Sequence, residues 1–195
     1  MTTDRRFCRF ARSPATDAFG MPEVPADGLC LCAFVVLASE EHPSRVLLGR
    51  LNPDAPWDHL GALDPGRIAA WKDRWMLPSS HLLVREDPRD AARRILEELV
   101  GVPPLPLDGP IVTSEVYAPE RHPGRRQHWD LEFIYRGRVA EAAVGRPAAW
   151  TELAFVDPGT LRPNEIARAQ EDILAYAGHP VGATDGAVPT GPRAR

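Results

Sequence analysis

Lysine is almost missing from this chain of 195 residues: Lys72 is the only one, and the other basic residues are arginine. Alongside the many Ala, Pro and Gly, this reads as compositional bias and carries no chemistry. Cysteine is scarce too, at Cys8, Cys30 and Cys32. None of them is spaced as CxxC, which argues against a disulfide framework and against a zinc site. Cys30 and Cys32 alternate within an apolar run, so both fall on one face of a strand, and small buried thiols in a reducing compartment are the plain reading. No apolar stretch approaches the roughly 20 residues that span a bilayer, so no membrane partner is expected. Arg5, Arg6, Arg9 and Arg12 have no apolar segment behind them, so no secretory signal is expected and the cytoplasm is the expected address. Charge of one sign is also lacking: a formal net charge of −4 gives no general electrostatic reason to expect nucleic acid.

What is present is the balance of a soluble globular protein, with 44% hydrophobic and 26% charged residues and a length suited to one domain with tails. Residues 1–27 are polar and turn-rich, an N-terminal arm or edge strand, and residues 179–195 form a Gly/Pro/Ala-rich tail expected to be disordered. The domain is expected over 28–178. Within it, Leu29 to Ala38 reads as a buried strand, and Arg45 to Leu51 as its hairpin partner. Asp64-Pro65 starts a short helix to about Arg74. Met76 to Ser80 reads as a tight loop. The strongest helix runs from Pro88 to about Val100, capped by Asp87 and closed by Gly101, with Ala91, Ala92, Ile95, Leu96 and Leu99 on one apolar face. Strands follow at Pro110–Tyr117 and His128–Arg138, the second alternating Trp129, Leu131, Phe133 and Tyr135 with Asp130, Glu132 and Ile134. A last strand near Leu153–Val156 and a helix from about Asn164 to Ala177 complete an α/β (α+β) pattern.

The segment from Trp75 to Val102 resembles the Nudix box, G-x5-E-x7-R-E-U-x-E-E-x-G-U with U apolar, which a Trp-x-Leu-Pro lead-in usually precedes. That lead-in stands here as Trp75 to Pro78. Laid down without gaps, the pattern places Ser80 at the first Gly, Glu86 at the first Glu, Arg94 at the Arg, Leu96 at U, Glu98 at the third Glu, Gly101 at the late Gly and Val102 at the end. The resemblance continues through Gln127–Tyr135 and Trp150–Asp157, in order over roughly 28–178. It implies the Nudix fold, a mixed β-sheet sandwiched between helices. It also implies a nucleotide-like small-molecule ligand, Mg2+ or Mn2+ held by carboxylates of the box helix, and a homodimer, as in many relatives.

The box is degraded. The cation-binding carboxylate positions of the family are 95, 98 and 99, which share one helix face, and they hold Ile95, Glu98 and Leu99. Hard cations need several oxygen donors, so the loss of two carboxylates is serious. Glu97 lies roughly 200° around an α-helix from 95 and 99. In a frame shifted by one residue, Glu97-Glu98 becomes the Glu pair and Arg93 the box Arg. Arg94 then replaces the second Glu, and Gly101 comes one place late. Ser79-Ser80 stands where the family has Gly-Gly, which allows positive φ, so a different loop path is expected.

Glu86 and Arg94 match the family's structural ion pair, with a solvated pair as the alternative. The candidate catalytic groups are Glu98 and Glu97, and the candidate metal ligands are Glu98 and Glu152, with Glu132 as a further acid outside the box. Arg121, Arg125 and Arg126, with His122, form a basic loop whose arginine forks suit phosphate. Trp75, with Trp57 and Trp71, is either a stacking wall for a base or core packing. Two functions follow. One is a divergent metal-dependent hydrolase of a nucleoside diphosphate linked to another moiety. The other is a Nudix-fold binding or sensor module that has lost its metal site, a pseudoenzyme.

Overall fold

The computed structural model describes residues 29–61, 63–117 and 128–182. Its centre is a mixed sheet of six strands: β1 (Leu29–Ser39), β2 (Val46–Leu51), β3 (Ser79–His81), β4 (Asp108–Tyr117), β5 (His128–Val139) and β6 (Trp150–Val156). The order is β4-β5-β1-β2-β6, with β3 pairing β1 off that path. β1 runs parallel to β5 from Leu29 opposite Trp129 to Ser39 opposite Val139. It pairs with β2 only at the hairpin end, Ala38 opposite Val46. Beyond that end residues 75–81 are wedged between the two: Val35 N–H donates to the Pro78 carbonyl at 3.0 Å, and Gly49 and Met76 exchange backbone bonds of 2.9 Å each.

Among the described residues four α-helices accompany the strands: α1 (Trp57–Leu60), α2 (Pro65–Trp71), α3 (Pro88–Ile95) and α4 (Glu171–Tyr176). Strand alternation sorts the core into two layers. Ala33, Val35 and Leu37 of β1, with Leu31, Phe133 and Tyr135 beside them, face the layer that contains α3, Trp57 and Trp150. Cys30, Cys32, Phe34 and Val36, with Ile134, face the layer built by Trp75, Leu161, Ile166 and α4 residues Ile173 and Leu174. The sheet thus lies between helices, the expected α/β (α+β) architecture.

Helix starts follow local chemistry. The Asp64 carboxylate accepts from Arg67 N–H at 3.0 Å and the Asp87 carboxylate from Arg89 N–H at 2.8 Å, each with proline at the first turn, where a missing N–H costs nothing.

Three expectations need correction. Residues 79–81 form a strand and not part of a tight loop, because β1 offers free edge groups there: Phe34 faces Ser79, Ala33 faces Ser80 and Cys32 faces His81. The helical run reaches Val100 and Gly101 closes it at φ 73° as expected, but its last turn, Leu96–Val100, is a wider π turn and α3 itself ends at Ile95. The helix expected from Asn164 is broken, with Arg168 and Ala169 at φ 59° and 55°. Its first residues serve the sheet instead: Trp75 N–H donates to Glu165 O at 2.8 Å and Ala167 N–H to Trp75 O at 2.7 Å. Backbone committed to that bridge cannot bond as a helix, so α4 starts only at Glu171.

Candidate functional site

The box opens on β3 and turns through residues 82–87 into α3. Arg94 reaches back from α3 to Glu86 in a two-pronged contact, Nε to Oε1 at 2.7 Å and a terminal nitrogen to Oε2 at 2.8 Å. Both side chains are 11% exposed. The same guanidinium donates to the His81 carbonyl at 3.0 Å and to Ser80 Oγ at 3.2 Å. Glu86 also accepts from Leu83 N–H at 2.7 Å. Arg93 makes an exposed i,i+3 contact with Asp90 at 2.8 Å. The frame is therefore the ungapped one, with Arg94 and not Arg93 at the box Arg.

Ser79 and Ser80 lie in extended backbone within β3, outside the positive-φ residues, so serine meets no conformational penalty there. Ser80 Oγ donates to Leu60 O at 2.9 Å, tying β3 to the end of α1.

The second half of the box differs from a cation site in kind. Ile95 is 0% exposed and Leu99 1%, and both belong to the buried cluster that contains Leu96, Val100, Trp57 and Trp150. Trp150 Nε1 donates to the Leu99 carbonyl at 2.6 Å, which fixes the π turn against β6. Trp57 meets Trp150 edge-on with centroids 5.4 Å apart. Gly49 is required beside them: a Cβ there would lie 2.3 Å from the Trp150 ring. Glu98 is half-buried and Glu97 exposed.

The remaining acids are not brought to Glu98. Glu152 shares the strand face of Ala154 and Val156, which pack on the second layer, and it pairs with Arg50 at 3.1 Å while 53% exposed. Glu132 shares the face of Ile134, also in the second layer. It is buried, accepts from Thr113 Oγ1 at 2.6 Å, and burial pushes its carboxyl up to about 8. Both therefore lie across the sheet from α3.

Nor do the tryptophans form one wall. Trp57 is buried in the α3 layer and Trp75 in the opposite one, where the Arg50 guanidinium lies 4.4 Å from the Trp75 ring centroid. Trp71 is partly buried against the first layer. Arg121, His122, Arg125 and Arg126 lie outside the described residues, as does Cys8.

One grouping was not foreseen. Cys30, Cys32 and His81 are all buried, with one donor atom from each within 4.8 Å of the others. The thiols are 3.3 Å apart. The hydrogen bond between the two sulfurs holds the Cys32 thiol well below its ordinary range, aided by His81, while the same bond and burial push Cys30 up. The alternation of Cys30 and Cys32 was legible. The approach of His81 was not, because it depends on β3 being a strand.

The donor set of the box does not fit the Mg2+ or Mn2+ that the resemblance implies. Among the described residues, no three carboxylates converge anywhere, and two of the three box positions are core hydrocarbon. Hard cations take several oxygen ligands, which one glutamate does not supply.

No family model matches the chain, and no curated protein matches it. Solved structures do. A MutT Nudix hydrolase from Burkholderia pseudomallei aligns with TM-score 0.51 at 15% identity, over 75% of this chain and 96% of that one. A MutT/Nudix family protein from Enterococcus faecalis gives 0.51 at 17% over 83% of this chain and 63% of its own. A MutT protein from Methanosarcina mazei Go1 gives 0.52 at 15% over 80% and 96%. At such identities the likeness is one of fold, and it agrees with the order of strands, box loop and box helix: the chain has the Nudix fold.

Proposed function

We propose that this protein is a Nudix-fold binding module for a small nucleotide-like molecule, one that keeps the scaffold of the box and has lost its cation site. The observation that carries this reading is the burial of Ile95 and Leu99, at 0% and 1% exposure, in the core where the family has carboxylates. Buried hydrocarbon cannot be exchanged for metal ligation without opening the core. Meanwhile the part of the box that shapes the loop, Glu86 with Arg94, is intact. A hydrolase using Mg2+ or Mn2+ at Glu98 would need Glu97, Glu152 or Glu132 as further donors. Glu97 is exposed and the other two belong to the opposite face. In this reading Arg121, Arg125 and Arg126 recognise phosphate through their guanidinium forks. The protein works in the cytoplasm, and a homodimer is its proposed assembly, to be checked by sedimentation equilibrium.

The test is a panel of nucleoside diphosphate derivatives, each followed by thermal shift and by product analysis, with and without Mg2+. A binding module gives a ligand-dependent rise in melting temperature that Mg2+ does not enhance, and no phosphate-containing product. Turnover that requires Mg2+ and disappears in Glu98→Ala would establish the hydrolase instead.

A further inference from the structure

We infer that Cys30, Cys32 and His81 form a binding site for a soft divalent transition-metal ion of the zinc class, on the sheet face opposite the box helix. Three features of the chain converge on it. Positions i and i+2 of β1 put both thiols on one face of the sheet. The pairing of β3 with β1 sets His81 directly opposite Cys32, so its imidazole joins that face. All three side chains are buried, at 3%, 4% and 6% exposure, and their donor atoms lie within 4.8 Å of one another.

The spacing suits tetrahedral coordination. Zinc–sulfur bonds of about 2.3 Å and zinc–nitrogen bonds of about 2.0 Å put neighbouring donors roughly 3.5 to 3.8 Å apart. The two sulfurs, now 3.3 Å apart, need to separate by only about half an ångström to reach it, within the reach of small χ1 rotations. Thiolate and imidazole are the donors that select zinc-class ions over Mg2+.

The histidine is also set for ligation. His81 Nδ1 lies 2.9 Å from the Gly61 carbonyl. A carbonyl only accepts, so Nδ1 carries a hydrogen there, and Nε2 is the ring atom that would ligate, releasing any proton it holds. This is the outer hydrogen bond by which metal-ligating histidines are usually oriented. Asp130, the register partner of Cys30 on β5, adds a buried carboxyl group on the same face. Binding displaces any thiol proton still held, and two thiolates then balance a dication in a buried setting. The three donors leave one position for a further ligand, and the ion would cross-link β1 to β3 immediately before the box loop.

Cobalt(II) titration of the full chain, reduced with a phosphine and stripped of metal, tests this directly. The expected result is a sulfur-to-cobalt charge-transfer band with tetrahedral d–d bands, saturating at equimolar metal and bleached by zinc. Zinc should also raise the melting temperature. Cys32→Ala should abolish the band and Cys8→Ala should leave it intact, with far-ultraviolet circular dichroism confirming that each variant is folded. Absence of the band in the unmodified reduced protein overturns the inference, whatever the variants do. So does a band that survives Cys32→Ala.

Discussion

Arg94 shows how much of the box survives at the scale of single residues. One guanidinium satisfies both oxygens of Glu86, the His81 carbonyl and the Ser80 hydroxyl. Removing one member of a largely buried pair leaves the other charge without its partner, which costs far more than an exposed pair is worth. Arg94→Ala should therefore lower unfolding free energy by about 2–4 kcal/mol. Arg94→Lys should recover only a fraction of that, because an ammonium cannot reproduce the fork. A chemical-denaturation loss under about 0.5 kcal/mol would show the pair to be solvated. Glu132 makes a second, pH-dependent prediction. Its folded carboxyl is raised by burial to about 8, above the roughly 4.3 of an unfolded chain. The folded state therefore holds the proton more tightly. The stability this provides is complete below the unfolded value and is lost as pH rises through about 8. Glu132→Gln, which cannot ionise, should lose less stability than the parent between about pH 5 and pH 9, by an amount on the order of a few kcal/mol. Parallel stability profiles would contradict the assignment.

Among the elements, α3 and its π turn decide what the box can do. Restoring the family residue by Ile95→Glu would bury a carboxylate among hydrocarbon and should destabilise the fold by about 3 kcal/mol or more. A variant with unchanged melting temperature and new Mg2+ affinity would mean that the site is latent and the core tolerant. Gly49→Ala should also destabilise, since the new methyl group would collide with the Trp150 ring. Retention of the parental denaturation midpoint would mean that the ring moves aside freely. The start of α3 was legible in the sequence because Asp87 and Pro88 act locally, as was its apolar face. So was its close at Gly101; the widening of its last turn was not, since Leu99 is held by Trp150, 51 residues away, and no local pattern reports that contact. The broken helix after Asn164 failed for the same reason. Its periodicity is real, but Glu165 and Ala167 give their backbone groups to Trp75. Ser79-Ser80 looked like a weakened glycine loop, yet extended backbone suits serine well.

Across the whole molecule, the sheet is the partition that matters. Strand alternation in β5 and the shared face of Cys30 and Cys32 in β1 were readable in the sequence, whereas the two layers of the core emerge only from the assembled sheet. Which layer would receive α3 was not readable, so Glu132 and Glu152 could be grouped with the box although they belong to the opposite face. That same face gathers Cys30, Cys32 and His81, away from the box helix. No described helix is long and apolar enough to cross a membrane. The central claim, that the fold persists without its hydrolytic cation site, is tested most directly by isothermal calorimetry of Mg2+ binding to the full chain and to Glu98→Ala. The account predicts no binding heat attributable to the box and identical traces for the two proteins. Binding in the low-millimolar range or tighter, abolished by Glu98→Ala, would contradict it.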